Sequence, residues 1–147
     1  MKKVLILGLF ASIFGSIACK KTVDEDKLIT DYLTAKSLTA EKTPEGVYVI
    51  IETQGTGSTT YPTRSNTVTA KYKGYLLDGT VFDQSATGFT APLSNLIEGW
   101  KIGFAKFKKG GKGKLFIPSS LAYGSTGSRS IPGNTPIAFD IELVDFN

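Results

Sequence analysis

Acid–base chemistry in this chain falls to Asp, Glu and Lys side chains, because its 147 residues include no His and a single Cys. Ser-His-Asp and Cys-His nucleophilic catalysis and His-ligated metals are thereby excluded. One Cys makes neither an internal disulfide nor a Cys-rich metal cage. A basic cluster, Lys106, Lys108, Lys109, Lys112 and Lys114, stands among Gly110, Gly111 and Gly113. It reads as a solvated turn between two elements, with phosphate binding as the alternative. Taking Lys2 and Lys3 from 17 basic residues against 13 acidic ones lowers the net charge from +4 to +2. Nucleic-acid binders carry a far larger, one-sided basic excess, so no nucleic-acid partner is expected. The aromatics Phe82, Trp100 and Phe139 read as core side chains or as the walls of a ligand pocket. Asp83 reads as a turn cap and Tyr123, before Gly124, as a loop tether, unless they serve that pocket.

The elements that would position these residues follow an export signal. Residues 1–18 join basic Lys2 and Lys3 to an apolar stretch from Val4 to Phe14 and to small residues Gly15, Ser16 and Ala18. That is the layout of a secretory signal peptide, too short in its apolar part to span a bilayer. The sole Cys, Cys19, follows it directly, which resembles a bacterial lipoprotein signal with Cys19 lipidated. The expected location is therefore the cell envelope, with the protein held at the membrane through a lipid on Cys19. Residues 19–45 form a charged linker. Asp24 is placed to cap a short helix bearing Leu28, Ile29, Tyr32 and Leu33, and Lys27 and Asp31 sit one turn apart. The helix is expected to be a spacer that packs lightly or lies free. Dimerisation is the alternative, for which the segment is too short to form a stable coiled coil.

From Gly46 the texture changes to strands and turns. Val47–Glu52, Thr67–Leu77, Thr80–Asp83, Lys112–Pro118 and Thr135–Phe146 are strand candidates, and Asp78-Gly79 marks a hairpin turn. Gln84–Pro92 is expected to be a loop. Leu96–Ala105 has helical spacing through Leu96, Ile97, Trp100 and Phe104. The fold class is α+β, a mainly antiparallel sheet of about five strands with one short helix, in a domain spanning 46–147.

Several segments in order then carry a family resemblance: Tyr72-Lys73-Gly74, Leu77-Asp78-Gly79-Thr80-Val81-Phe82-Asp83-Gln84-Ser85, Leu96-Ile97-Glu98-Gly99-Trp100, Gly110-Gly111-Lys112-Gly113-Lys114-Leu115, Ile117-Pro118-Ser119-Ser120-Leu121-Ala122-Tyr123-Gly124, Ile131-Pro132-Gly133-Asn134 and Phe139-Asp140-Ile141-Glu142-Leu143. Each alone is weak; the ordered set resembles the FKBP-type peptidyl-prolyl cis-trans isomerases, and the layout resembles exported bacterial members. The resemblance implies a bent antiparallel sheet wrapped around the short helix, with an aromatic pocket between them. Trp100 would be its floor, Tyr72, Phe82, Phe89 and Phe139 its walls, and Leu96, Ile97 and Ile131 its rim. Asp83 and Tyr123 would be polar groups at the mouth, and the Ile97 N–H a donor to substrate. It further implies isomerisation of X–Pro bonds with no cofactor, proline-containing polypeptides as partners, and macrolides as inhibitors. A low-turnover proline-binding or holdase module on the same scaffold is the alternative. Gln84–Pro92 lacks the basic residue with which many members pair the aspartate, which leaves Asp83 less rigidly held. Loop 125–131 contains Arg129 but no aromatic.

Overall fold

The computed structural model describes residues 22–147, so the expected signal segment and the expected lipidation of Cys19 lie outside the described residues. The chain opens with helix α1 (Glu25–Ala35), where the Asp24 carboxylate accepts from the Lys27 N–H at 3.1 Å. That bond satisfies one of the donors that a helix start leaves without an intrahelical partner. Lys27 and Asp31 pair on its exposed face at 2.6 Å.

Six strands follow: β1 (Glu41–Lys42), β2 (Tyr48–Thr53), β3 (Thr67–Leu76), β4 (Val81–Pro92), β5 (Lys112–Ile117) and β6 (Ile137–Phe146). They form one sheet in the order β1-β2-β5-β6-β3-β4, with every pairing antiparallel. Strand alternation sends side chains to opposite faces. Val49, Ala70, Leu115, Ile117, Phe139 and Ile141 point into a main core shared with helix α2 (Glu98–Phe104). Tyr48, Phe116 and Ala138 point the other way, onto α1.

Helix α1 is therefore not a loosely packed spacer. Ile29 is fully buried and Leu33 nearly so, in a second core with Tyr48, Phe116 and Ala138. The helix is too short to persist alone, and this apolar contact supplies the stability that propensity does not. Its i, i+4 apolar pair was visible in the sequence; that a sheet face stood ready for it was not.

A second difference is β4. A short strand followed by a loop was expected, but pairing with β3 continues from Val81 to Pro92. Gln84–Ala91 has no apolar alternation to announce a strand. It is held by the open edge of β3, with irregularities in register between Ala70 and Tyr72 and between Gly74 and Tyr75. The Asp78-Gly79 turn forms as expected: Gly79 takes a φ of 93°, and the Leu76 N–H donates to the Thr80 carbonyl at 2.8 Å.

The basic cluster is dispersed among partners. Lys106 pairs with Glu41, Lys109 with Asp145, Lys112 with Glu142, and Lys114 with Asp140 and Glu52. The Lys108 ammonium lies 5.5 Å from the Tyr61 ring centre. Each of the five lysines thus meets a carboxylate or an aromatic ring, with Lys106, Lys108 and Lys109 ahead of β5 and Lys112 and Lys114 on it.

Replacing Ile29 with Ala is expected to lower the stability of the protein by about 2–5 kcal/mol in a urea titration. A midpoint unchanged from wild type would return α1 to the role of a spacer.

Candidate functional site

Trp100 sits on α2, and two glycines flanking it in the helix decide how close it comes to the sheet. A Cβ on Gly99 would lie 2.3 Å from the Ile117 Cγ2, and one on Gly103 would lie 2.5 Å from the Leu115 Cδ1. Bare backbone at both positions lets α2 settle directly on β5. Trp100 is then buried among aromatic edges, with ring centres 5.1 Å from Tyr72, 5.2 Å from Phe139 and 5.0 Å from Phe104, all near perpendicular. Such edge-to-face pairs contribute about 0.5–1.5 kcal/mol each beyond their burial. Among the described residues the Trp100 indole N–H is buried without an acceptor.

The walls come from β3, β4 and β6. Tyr72 on β3 stands opposite Ile141 on β6 and Ser85 on β4, and Gly74 stands opposite Phe139 and Asp83. A Cβ on Gly74 would come within 2.7 Å of both the Phe82 and Phe139 rings. The missing side chain is what allows those rings to meet across the strand, 5.6 Å apart and at 89°.

The result is a cavity of about 320 Å³ lined by Tyr72, Phe82, Asp83, Phe89, Asn95, Leu96, Ile97, Trp100, Tyr123 and Phe139. All the site residues expected from the sequence meet here except Ile131. That residue is buried beside an adjoining polar hollow of about 310 Å³, with Ser128, Arg129, Ser130 and the shared Phe82, Asp83 and Tyr123. Asn95 was missed. It immediately precedes Leu96, and a short 3-10 turn (Leu93–Asn95) brings it to the mouth. A larger depression of about 660 Å³ lies elsewhere, around Thr43, Pro62, Arg64, Lys101 and Ile102. It has no aromatic wall, whereas the smaller cavity joins an apolar lining to a few convergent polar groups, the composition of a ligand pocket.

Polar chemistry in the cavity is sparse. The Asp83 carboxylate accepts from the Tyr72 hydroxyl at 2.7 Å and from the Gln84 N–H at 2.9 Å. Tyr72 thus fills the holding role for which the sequence showed no basic residue near Asp83. Burial, and then the bond to Asp83, push the Tyr72 hydroxyl well above the ordinary phenol range. Burial, and then the Asp83 charge, raise Tyr123 as well. Both phenols are therefore neutral donors at physiological pH. Ile97 precedes the first turn of α2, and among the described residues its N–H donates to no protein acceptor. Arg129 adopts a φ of 48° in the tight turn closed by the Ser128–Ile131 bridge. The cavity lining contains no Ser, Thr, Cys or Lys, and the described residues hold no cluster of metal-ligating side chains.

The family model for FKBP-type peptidyl-prolyl cis-trans isomerases matches residues 58–144, more than half of the chain. The chain belongs to that family. Among curated relatives, FkpA of Buchnera aphidicola (subsp. Baizongia pistaciae) is 38% identical over 138 residues, 90% of this chain and 54% of the relative. FkpA of Escherichia coli K12 is 44% identical over 102 residues, 67% of this chain and 37% of the relative. The chain thus spans about half the length of the curated relatives it matches, or less. The crystal structure of FkpA from Escherichia coli superposes with a TM-score of 0.76 at 35% identity, covering 87% of this chain and 62% of that one. A peptidyl-prolyl isomerase from Pseudomonas syringae gives 0.72 at 31% identity, with 82% and 92% coverage. The family's sheet-and-helix frame is the one described above.

The raised phenols have a consequence for stability. Where the folded pKa lies above the unfolded value of about 10, the folded protein keeps a proton that the unfolded chain has lost. The stabilisation from Tyr72 and Tyr123 is therefore complete below about pH 10 and is lost as pH rises through their folded values. In urea titrations from about pH 9 to 11, Tyr72→Phe is expected to flatten that alkaline decline. An identical slope in the variant would show that Tyr72 does not hold its proton in the fold.

Proposed function

We propose that the protein is a peptidyl-prolyl cis-trans isomerase that acts on exported polypeptides through the cavity around Trp100. The observation that carries this reading is an aromatic pocket with a half-buried neutral donor, Tyr123, at its mouth and an unengaged backbone N–H at Ile97.

Rotation about an X–Pro bond breaks no covalent bond but crosses a barrier of about 18–20 kcal/mol set by amide resonance. At the twisted state that resonance is lost, the amide is less polar, and the prolyl nitrogen is more basic. A dry pocket accepts that state more readily than the planar amide, whose hydrogen bonds to water are better kept outside. Acceleration by ~10⁵-fold requires about 7 kcal/mol of such differential stabilisation. No nucleophile, general base or metal enters the step, so a chain without His is no obstacle.

In this scheme the proline ring rests on Trp100, between Tyr72, Phe82 and Phe139. The Ile97 N–H holds the substrate backbone, and the Tyr123 hydroxyl donates to the rotating carbonyl. Asp83, fixed by Tyr72, puts negative charge beside the twisted amide. Phe89 and Leu96 shield the mouth, and Ile131 backs the hollow that receives residues flanking the proline. The reading also retains the envelope location and the lipid on Cys19 drawn from the sequence. Uncatalysed isomerisation takes about 10–100 s, slow enough to limit folding of exported chains.

The test is cis–trans exchange of a Leu-Pro peptide by the purified protein, with and without a macrolide inhibitor of the family. Catalysis that the macrolide blocks is expected; saturable peptide binding without catalysis would establish a binding module instead. Trp100→Ala should lower kcat/KM at least about tenfold and stability by about 3–5 kcal/mol. Tyr123→Phe removes one neutral hydrogen bond of about 0.5–1.5 kcal/mol, so kcat/KM should fall about two- to tenfold with the fold intact. Rates unchanged in both variants would sink the assigned pocket.

For the anchor, metabolic labelling with a lipid precursor should mark wild type and not Cys19→Ser. Equal label in both would remove Cys19 from the reading.

A further inference from the structure

Tyr123 has no secondary structure of its own to hold it. It follows a short 3-10 turn (Ser119–Leu121); the Tyr123 carbonyl accepts from the Gly127 N–H at 3.1 Å and the Gly124 carbonyl from the Asn134 N–H at 2.9 Å, while Ser119 ties the turn from its N-terminal side. The Ser119 carbonyl accepts from the Ala122 N–H at 2.9 Å and from the Gly124 N–H at 2.8 Å, so the amides of the two residues flanking Tyr123 are tied to a single oxygen. Ser119 is only 5% exposed, which makes its own N–H and hydroxyl groups that must find partners. Neither finds one in the sheet. Both donate to Glu25 of α1, the N–H to Oε2 and the hydroxyl to Oε1, each at 2.6 Å. Both carboxylate oxygens are thus engaged on one residue, in short charge-assisted bonds.

Glu25 lies outside the region the family model matches, on the helix packed against the far face of the sheet. Its helix is fixed independently: Ile29 and Leu33 are buried against Phe116 and Tyr48, and Asp26 accepts from the Tyr48 hydroxyl at 2.6 Å and from the Lys42 ammonium. A rigid element behind the sheet therefore reaches around its end to hold the turn that presents Tyr123 to the cavity.

We propose that Glu25 is a positioning residue for the isomerase site, acting through Ser119 to fix the Tyr123 hydroxyl at the cavity mouth. The inference rests on the isomerase reading for its functional consequence, though the clamp itself does not. With Glu25 removed, the buried Ser119 N–H and hydroxyl lose their acceptor and the turn relaxes. Tyr123 remains in place chemically but is no longer aimed.

Two measurements on the purified protein decide it. The first is amide hydrogen exchange at Ala122 and Gly124, which needs no activity. Glu25→Ala is expected to speed exchange at both, whereas Asp26→Ala, which loosens the same helix end without touching Ser119, is expected to leave them protected. Unchanged exchange in Glu25→Ala, or equal acceleration in Asp26→Ala, overturns the clamp.

The second is a double-mutant cycle on peptide isomerisation. Glu25→Ala is expected to lower kcat/KM by no more than the two- to tenfold loss of Tyr123→Phe, and to lower it no further in the Tyr123→Phe background. Glu25→Gln, which keeps a carbonyl acceptor, should recover part of the loss. Additive losses, or a loss equalled by Asp26→Ala, would show that Glu25 does not act through Tyr123. Should wild type not isomerise the peptide, the proposed function fails, and the exchange measurement alone decides whether Glu25 holds the turn.

Discussion

The approach of helix α2 to strand β5 sets the geometry of everything in front of it. Gly99 and Gly103 leave no side chain between helix backbone and the Ile117 and Leu115 side chains, so the helix rests at a distance a Cβ would forbid. Trp100, between those glycines, is driven into the sheet's aromatic face rather than held above it. Gly74 does the corresponding work within the sheet, clearing the spot where Phe82 and Phe139 meet. Three glycines thus define the cavity by absence, and the aromatic rings fill the remaining space edge to face. Close packing of this kind tolerates little added volume, which is why a pocket can persist beside it without collapsing.

Polar groups enter this apolar frame in small number, and each is held by something specific. Asp83 is fixed by the Tyr72 hydroxyl and the Gln84 N–H, and Tyr123 by the Ala122 and Gly124 amides tied to Ser119 and by the Gly127 N–H on its own carbonyl. Burial keeps both phenols protonated and therefore able to donate. Chemistry that works by stabilising a twisted amide asks for this combination: few donors, fixed in place, in a site that water leaves easily. The absence of His from the chain fits the proposed reaction, which moves no proton.

The sheet is used on both faces. One face meets α2 and forms the cavity, and the other meets α1, with Phe116 and Ala138 alternating against Leu115, Ile117 and Phe139 along β5 and β6. A helix at the back of a thin sheet is mechanically close to a site at its front. Side chains at the sheet's end, such as Glu25 reaching Ser119, can couple the two without passing through the core.

What the sequence by itself determined was local and periodic. The alternation of Ile137, Phe139, Ile141 and Leu143, the Asp78-Gly79 turn, the Asp24 cap and the one-turn spacing of Trp100 and Phe104 each follow from pattern within a few residues, although the helix expected from Leu96 begins at Glu98, with Leu96 extended and Ile97 its cap. Trp100 and Phe139 were legible as buried aromatics and Phe82, half-buried at the cavity, as their neighbour, but only their ordered motifs separated a pocket from a core. Tertiary structure decided whatever depended on a distant partner. Gln84–Pro92 is a strand because β3 offered an edge, not because its small polar residues prefer one. Ile29 and Leu33 are core because a sheet face lies beneath them. Asn95 reaches the cavity through a turn whose placement no spacing reports, and Asp83 is held by Tyr72, eleven residues away, instead of a neighbouring cation. Periodicity records which face of an element is apolar; only the assembled chain settles what meets that face, because the contact belongs to two segments at once.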